Sequence, residues 1–324
     1  VKKKILLHRP SLRRKDFHFL LEQLLEENIA PGMRNKQLVK LLQVTHGMKS
    51  GVALRSYRLA IAYALRSLAD SVHRVGMSAL ANEICYDEVQ KAGYEPILFD
   101  TKENEVILSY EQNRCDALIV APLCRSTNFF NNITIPIIYD VSAWLATRQE
   151  KIIFNSAHAV IISLEEEETL SVGGGGIFLR HKSNSQDYDP QEMLPDILSS
   201  LAITQYLQLH RFDAECEETA KTWNEYICEE QGMFICKDTP LRHFIIKYEK
   251  SWEILRTYAK QMNITIRPLF REYAAQKLCA SRQELRKKFP HAYKHSTTLL
   301  QVPLYPHLRM EEKKRIASFF RSLP

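Results

Sequence analysis

The chain has 324 residues, of which 45% are hydrophobic and 25% charged, ordinary globular proportions that allow one large domain and a smaller one, each with its own core. No apolar run approaches the roughly 18 residues of a membrane span, and Ile5-Leu6-Leu7 after the basic Lys2-Lys3-Lys4 is too short for a signal peptide, so a cytosolic protein with no membrane contact is expected. The net charge of +6 admits an anionic partner. Lys and Arg are nevertheless spread along the chain, apart from Arg282, Arg286, Lys287 and Lys288, and no nucleic-acid signature accompanies them.

Phe17, Leu20, Leu21, Leu24 and Leu25 fall at i, i+3, i+4, i+7 and i+8 and predict a first helix. Asn28-Ile29-Ala30-Pro31-Gly32 ends it, and residues 37–42 suggest a short second one. Ile61, Leu65 and Leu68 share a face within residues 58–68. A further helix is expected over residues 80–91, stopping at Gly93, which suits a left-handed cap. The texture then changes to short runs rich in Ile, Val and Leu at 96–99, 117–121, 135–139, 159–164 and 177–179. Such runs read as strands buried on both faces, and helices with such strands give an α/β layer architecture.

The polar stretch 181–190 marks a domain boundary, followed by a long helical stretch over about residues 191–229. The remainder mixes single strands (242–248, 299–302) with helices (252–261, 311–320). The expected division is a large domain over 1–185 with an N-terminal helical arm. Residues 186–324 then supply a helical connection and a small C-terminal α+β domain. The seven cysteines are scattered, without a C-x-x-C pair or zinc spacing, and read as reduced structural thiols with no metal site.

The most informative segment is Ser163-Leu164-Glu165-Glu166-Glu167-Glu168-Thr169-Leu170-Ser171-Val172-Gly173-Gly174-Gly175-Gly176. It resembles the S-F-x-x-x-K-x-L-x-x-G-E-G-G motif of the DegT family of sugar aminotransferases, with Glu168 on the lysine and Gly174 on the glutamate. Further segments resemble the same family in the same order. They are Arg9-Pro10-Ser11-Leu12, Ala30-Pro31-Gly32, Ser56-Tyr57-Arg58 with the helix after it, and Ala92-Gly93-Tyr94-Glu95-Pro96 with Phe99-Asp100. Ile135-Pro136-Ile137-Ile138-Tyr139-Asp140 and Val302-Pro303-Leu304-Tyr305-Pro306-His307-Leu308 complete the set. The resemblance implies the fold-type I, pyridoxal-phosphate (PLP) transferase architecture: a large three-layer domain with a mostly parallel mixed sheet, plus a smaller α+β domain.

In that family the lysine amine forms a Schiff base with the cofactor aldehyde, which a carboxylate cannot do. The resemblance places Asp140 as the partner of the cofactor ring nitrogen and Ser163 as a phosphate contact. A strand-end hydroxyl capping the next turn is an equal reading of Ser163. Ser56 and Arg58 match the phosphate-cradling helix start, but Tyr57 replaces its glycine, whose lack of a side chain lets the backbone come close. Ser50-Gly51 offers a shifted cradle. Leu80 falls where an aromatic should stack on the ring, and Ala143, followed by Trp144, falls on a Gln or His. A glutamate about 5 Å from another carboxylate at an effective dielectric near 20 is repelled by about 3 kcal/mol, roughly a hundredfold in binding.

These departures together imply that the cofactor has been abandoned. The expectation is a degenerate homologue of a nucleotide-sugar aminotransferase, without Schiff-base chemistry and without cofactor. It would pair with itself or with an active paralogue, and a nucleotide-sugar ligand could be retained. The alternative is an active aminotransferase or dehydratase-like enzyme using PLP or pyridoxamine phosphate (PMP), with Glu168 as general base beside Asp140. Two lesser readings are a replacement lysine (Lys151 or Lys182) and an interaction protein using Tyr206, Phe212, Trp223 and Tyr226. Glu165, Glu166 and Glu167 read as a solvated loop.

Overall fold

Seven strands make the main sheet: β1 (Ser50–Leu54), β2 (Arg74–Ser78), β3 (Glu95–Phe99), β4 (Ala117–Val120), β5 (Ile137–Asp140), β6 (Ala159–Ser163) and β7 (Gly176–Arg180). The structure is a computed structural model that describes residues 3–9, 14–25, 29–103, 108–111, 113–122, 133–143, 145, 157–182, 188–227, 233–235 and 244–322. Residues 10–12 of the opening motif, Trp144 and Lys151 lie outside these. The strand order is β1-β7-β6-β5-β4-β2-β3. Strands β2 to β6 pair in parallel, and β7 runs antiparallel to both β6 and β1. The fold is therefore α/β with a mostly parallel mixed sheet. Strands β4, β6 and β7 are buried at every residue, as their unbroken apolar character requires.

Strands β1 and β2 escaped the pattern of apolar runs because each is interrupted by glycine. A Cβ on Gly51 would stand 2.5 Å from the Phe178 carbonyl oxygen, and one on Gly76 would stand 2.7 Å from both the Cys115 sulfur and the Phe99 ring. Close approach of a neighbour, rather than a turn, explains both residues.

Helices cover both faces. On one, α3 (Tyr57–Arg66) and α4 (Glu83–Lys91) pack on Val75, Met77, Ile138, Ile161 and Phe178. On the other, α2 (Met33–His46) buries Leu38, Val39 and Leu42 against Ile137, Val160 and Ile162. Helix α2 extends well beyond the expected 37–42 because its start is completed from far away. Gly32 at its N-cap has no side chain, and the Asp196 carboxylate accepts the N–H groups of Gly32, Arg34 and Asn35 at 2.8, 3.0 and 2.9 Å, the task of a local capping residue. The first helix, α1 (Arg14–Leu25), turns most of its apolar stripe outward: Phe17, Leu21, Leu24 and Leu25 are exposed, while Leu20 packs against the core.

The stretch expected to be one long helix breaks at residues 207–208 into α5 (Asp196–Tyr206) and α6 (Leu209–Asn224). Helix α5 packs against α1 and α2, whereas α6 sends Cys216 and Trp223 into a separate core. Phe212 and Trp223 are buried, and the Tyr206 hydroxyl lies 2.8 Å from His46 Nε2. These aromatics serve packing.

A second, antiparallel sheet has the order β10-β11-β9-β8, from β8 (Met233–Ile235), β9 (Phe244–Tyr248), β10 (Arg267–Pro268) and β11 (Leu299–Val302). With α7 (Trp252–Gln261) and α11 (Met310–Arg321) it encloses Phe244, Leu255, Ile316, Phe319 and Phe320. Three short helices, α8 (Ala274–Leu278), α9 (Arg282–Lys288) and α10 (Pro290–Thr298), return to the main sheet, where Ala274, Leu285 and Ala292 join the α3/α4 core. Asp100, just past β3, accepts the N–H groups of His291 and Ala292 at 3.1 and 2.8 Å and so caps α10. Among the described residues no helix is long and apolar enough to cross a membrane, and no cluster of metal-ligating side chains occurs.

Candidate functional site

Strand register gathers the residues singled out in the sequence at one end of the main sheet. Ser163 faces Gly176, and Gly176 faces Leu54, at the ends of β6, β7 and β1, while Asp140 closes β5. This is the carboxyl end of the parallel strands, where open α/β sheets place their sites. From Leu54 the chain turns through Ser56, whose hydroxyl accepts the Leu59 N–H at 3.3 Å, into α3 with Tyr57 as its first residue. A Cβ on Gly176 would lie 2.8 Å from Tyr57 Cα and 2.9 Å from the Ser56 carbonyl, so that motif glycine is what lets α3 begin so close to the sheet.

Asp140 is the hub. The Tyr57 hydroxyl donates to its Oδ2 at 2.5 Å, and the Ser142 N–H donates to its Oδ1 at 3.0 Å. The Ser142 hydroxyl also donates to Oδ1 and in turn accepts the Ser163 N–H at 2.7 Å. The Tyr57 oxygen lies 3.7 Å from Cys85 Sγ on α4. Tyr57 and Cys85 are buried, 3% exposed each. Burial lifts the Asp140 carboxyl above its usual range, against the pull of the Ser142 and Tyr57 hydrogen bonds. Burial and the Asp140 charge push the Tyr57 phenol well above its ordinary value and the Cys85 thiol up to about 12.

Glu168 lies on the loop after β6, half-buried and close enough to Asp140 to feel its charge. The loop is a compact turn: the Glu168 N–H donates to the Glu165 carbonyl at 3.2 Å, and the N–H groups of Val172 and Gly174 donate to the Leu164 carbonyl at 3.0 and 3.2 Å. Gly173 and Gly175 take φ of 87° and 123°, where a side chain would be strained. Burial first, then the negative charges of Asp140, Glu165 and Glu167, raise the Glu168 carboxyl to about 8. Glu165 and Glu166 are exposed. Glu167 is exposed too, as a solvated loop requires, but it is also paired: Arg267 of β10 grips it with both terminal guanidinium nitrogens, one of them at 2.5 Å, and Arg271 lies 3.9 Å away. His8 Nε2 lies 3.2 Å from the same guanidinium, and burial with the Arg267 charge holds its imidazole down at about 4.

The other expected residues lie as follows. Arg58 turns to α4, pairing with Glu88 at 2.8 Å and Asp87 at 3.6 Å. Leu80 is buried in the α3/α4 core. Ser50-Gly51 opens β1 at the opposite end of the sheet, where the Ser50 hydroxyl donates to the Lys182 carbonyl at 2.6 Å. Neither the shifted cradle nor Lys182 therefore shares an end with Asp140. Ser142, Cys85 and Arg267 were missed. Asp-Val-Ser is a recognisable Asx-turn signal for Ser142. Arg267 reaches Glu167 across 100 residues, which no local pattern announces.

As arranged, these residues do not fit PLP. Both Asp140 oxygens are engaged by the chain's own donors, and the Tyr57 side chain runs from the helix start, where a phosphate would be cradled, to the carboxylate that would meet a ring nitrogen.

No protein-family model matches the chain, and no curated protein matches it by sequence. Solved structures do. PseC of Helicobacter pylori, an aminotransferase involved in pseudoaminic acid biosynthesis, superposes with a TM-score of 0.82 at 14% identity, covering 98% of each chain. The PLP form of Spr1654 from Streptococcus pneumoniae, described as a sugar aminotransferase, gives 0.83 at 15% identity, covering 99% of this chain and 98% of its own. NtdA of Bacillus subtilis with bound PMP gives 0.78 at 15%, covering 99% and 86%. At such identities the likeness establishes architecture: the chain has the α/β fold shared by PLP-dependent sugar aminotransferases of fold-type I.

Proposed function

We propose that this chain is a degenerate homologue of the nucleotide-sugar aminotransferases of the DegT family, free of Schiff-base transamination and of bound cofactor. It acts as a dimeric binding or partner subunit in sugar or polysaccharide metabolism. The observation that carries this reading is Glu168, which falls on the lysine of the motif and whose carboxyl is raised by burial and by the nearby Asp140 charge. A carboxylate forms no imine, and it opposes a second carboxylate and an anionic ligand alike. The outward apolar stripe of α1, with Phe17, Leu21, Leu24 and Leu25 exposed, supports pairing with a second copy or with an active paralogue, since apolar patches of this kind mark contact surfaces.

The test is absorbance of the purified protein mixed with PLP, followed by borohydride reduction and mass analysis. No visible band and no phosphopyridoxyl adduct is the expected result. A stoichiometric adduct at one lysine overturns the proposal. A second reading is favoured by one observation, the Glu168 carboxyl held at about 8, which suits a group that exchanges a proton near neutral pH. In that reading the chain is an enzyme using Glu168 with Asp140, and loss of a sugar-nucleotide-dependent reaction in Glu168→Gln separates it from the first.

A further inference from the structure

We infer that Tyr57 is this chain's built-in replacement for the aromatic ring around which such a site is organised, so that truncating it opens a pocket for a free phenol. The inference rests on the reading of the site as one without cofactor and gives it a physical cause.

A ring bound here by the fold's usual logic has two anchors, a helix N-terminus for its phosphate and a carboxylate for its nitrogen. Tyr57 spans both from inside the chain. Its backbone is the first residue of α3, fixed by the Ser56 cap and by the contact with Gly176. Its hydroxyl donates to Asp140 at 2.5 Å, as a protonated ring nitrogen would. Asp140 needs such a donor: at its half-buried place a carboxylate oxygen left without one costs more than an ordinary hydrogen bond. The Ser142 N–H and hydroxyl satisfy only its other oxygen. The ring itself is almost wholly buried, so its loss leaves a hole rather than a smoother surface.

The pocket left by Tyr57→Ala would be flat, with an acceptor at its far end. Its chemical class of ligand is a small planar ring carrying one donor opposite its point of entry. p-Cresol is the Tyr57 side chain itself and serves as the probe. Thermal melts of the full chain should show Tyr57→Ala well below wild type and raised several degrees by millimolar p-cresol, with toluene, which lacks the hydroxyl, less effective. Wild type should not respond. No stabilisation of a folded Tyr57→Ala, or equal stabilisation of wild type, overturns the inference.

Should Tyr57→Ala not fold alone, its refolding in millimolar p-cresol decides the matter: recovery with p-cresol and not with toluene is expected, and no recovery overturns the inference. Two gain-of-function variants give a separate readout. Glu168→Lys alone should give little borohydride-trapped adduct with PLP, and Glu168→Lys with Tyr57→Gly at least tenfold more. Equal trapping in the two means that Tyr57 does not occupy the ring's place. An adduct on the wild-type chain would instead defeat the reading under Proposed function, so the two failures are told apart by which protein is labelled.

Discussion

The Arg267 guanidinium of the small sheet holds the Glu167 carboxylate on the loop after β6 by a two-pronged contact, which ties the loop bearing Glu168 to the second sheet. Two-pronged pairs are the stronger kind, but the Glu167 side chain is 47% exposed, so solvent screening holds the contribution to about 1 kcal/mol. Arg267→Gln should therefore lower the melting temperature by only a few degrees. Its larger effect should be faster amide exchange over residues 165–172, measured by mass spectrometry.

Glu168 should make stability fall as pH rises. An unfolded glutamate titrates near about 4.3, whereas in the folded chain Glu168 is raised to about 8. Between those values folding takes up a proton, so the penalty is absent below the unfolded value, grows with pH and levels off above the folded one. Glu168→Gln should match wild type near pH 4.5 and surpass it at pH 8 in urea midpoint. The gap should widen by no more than about 1.4 kcal/mol per pH unit.

The remote caps should behave as local caps do. Asp196→Ala strips the start of α2 of its acceptor and Asp100→Ala does the same for α10. Each should cost about 1–2 kcal/mol in denaturant unfolding, and the corresponding Asn variants clearly less.

Gly176→Ala should be worse than either. Its new methyl would press on Tyr57 Cα at 2.8 Å and the Ser56 carbonyl at 2.9 Å, backbone atoms that cannot rotate aside. An overpacking cost of about 2–3 kcal/mol is expected, together with poor recovery of soluble protein.

Most of the architecture was legible in the sequence where burial is continuous. Strand β11 and helix α7 coincide with the expected 299–302 and 252–261, because an apolar run and an amphipathic face are local properties. Strands β1 and β2 were not, since Gly51 and Gly76 answer to neighbours distant in sequence. The hub residues Asp140, Ser163, Tyr57 and Glu168 were found through motif spacing. What the motif could not convey is that Tyr57, noted only as an obstacle to close approach, turns inward to Asp140. Nor could it convey that one glutamate of a run of four is held by an arginine.

Strand β1 lies at the edge of the sheet with β7 as its neighbour, and α2 just before it takes its cap from a residue up to 164 positions later. On the ribosome, residues 33–54 therefore emerge long before the strand that pairs with β1 and the carboxylate that caps α2. They must wait, with Leu38, Leu42 and Val52 uncovered, until more than half of the chain has been synthesised. Residues 33–54 are thus among the last parts of the main sheet to settle, and they are a stretch a chaperone would have to shelter during synthesis.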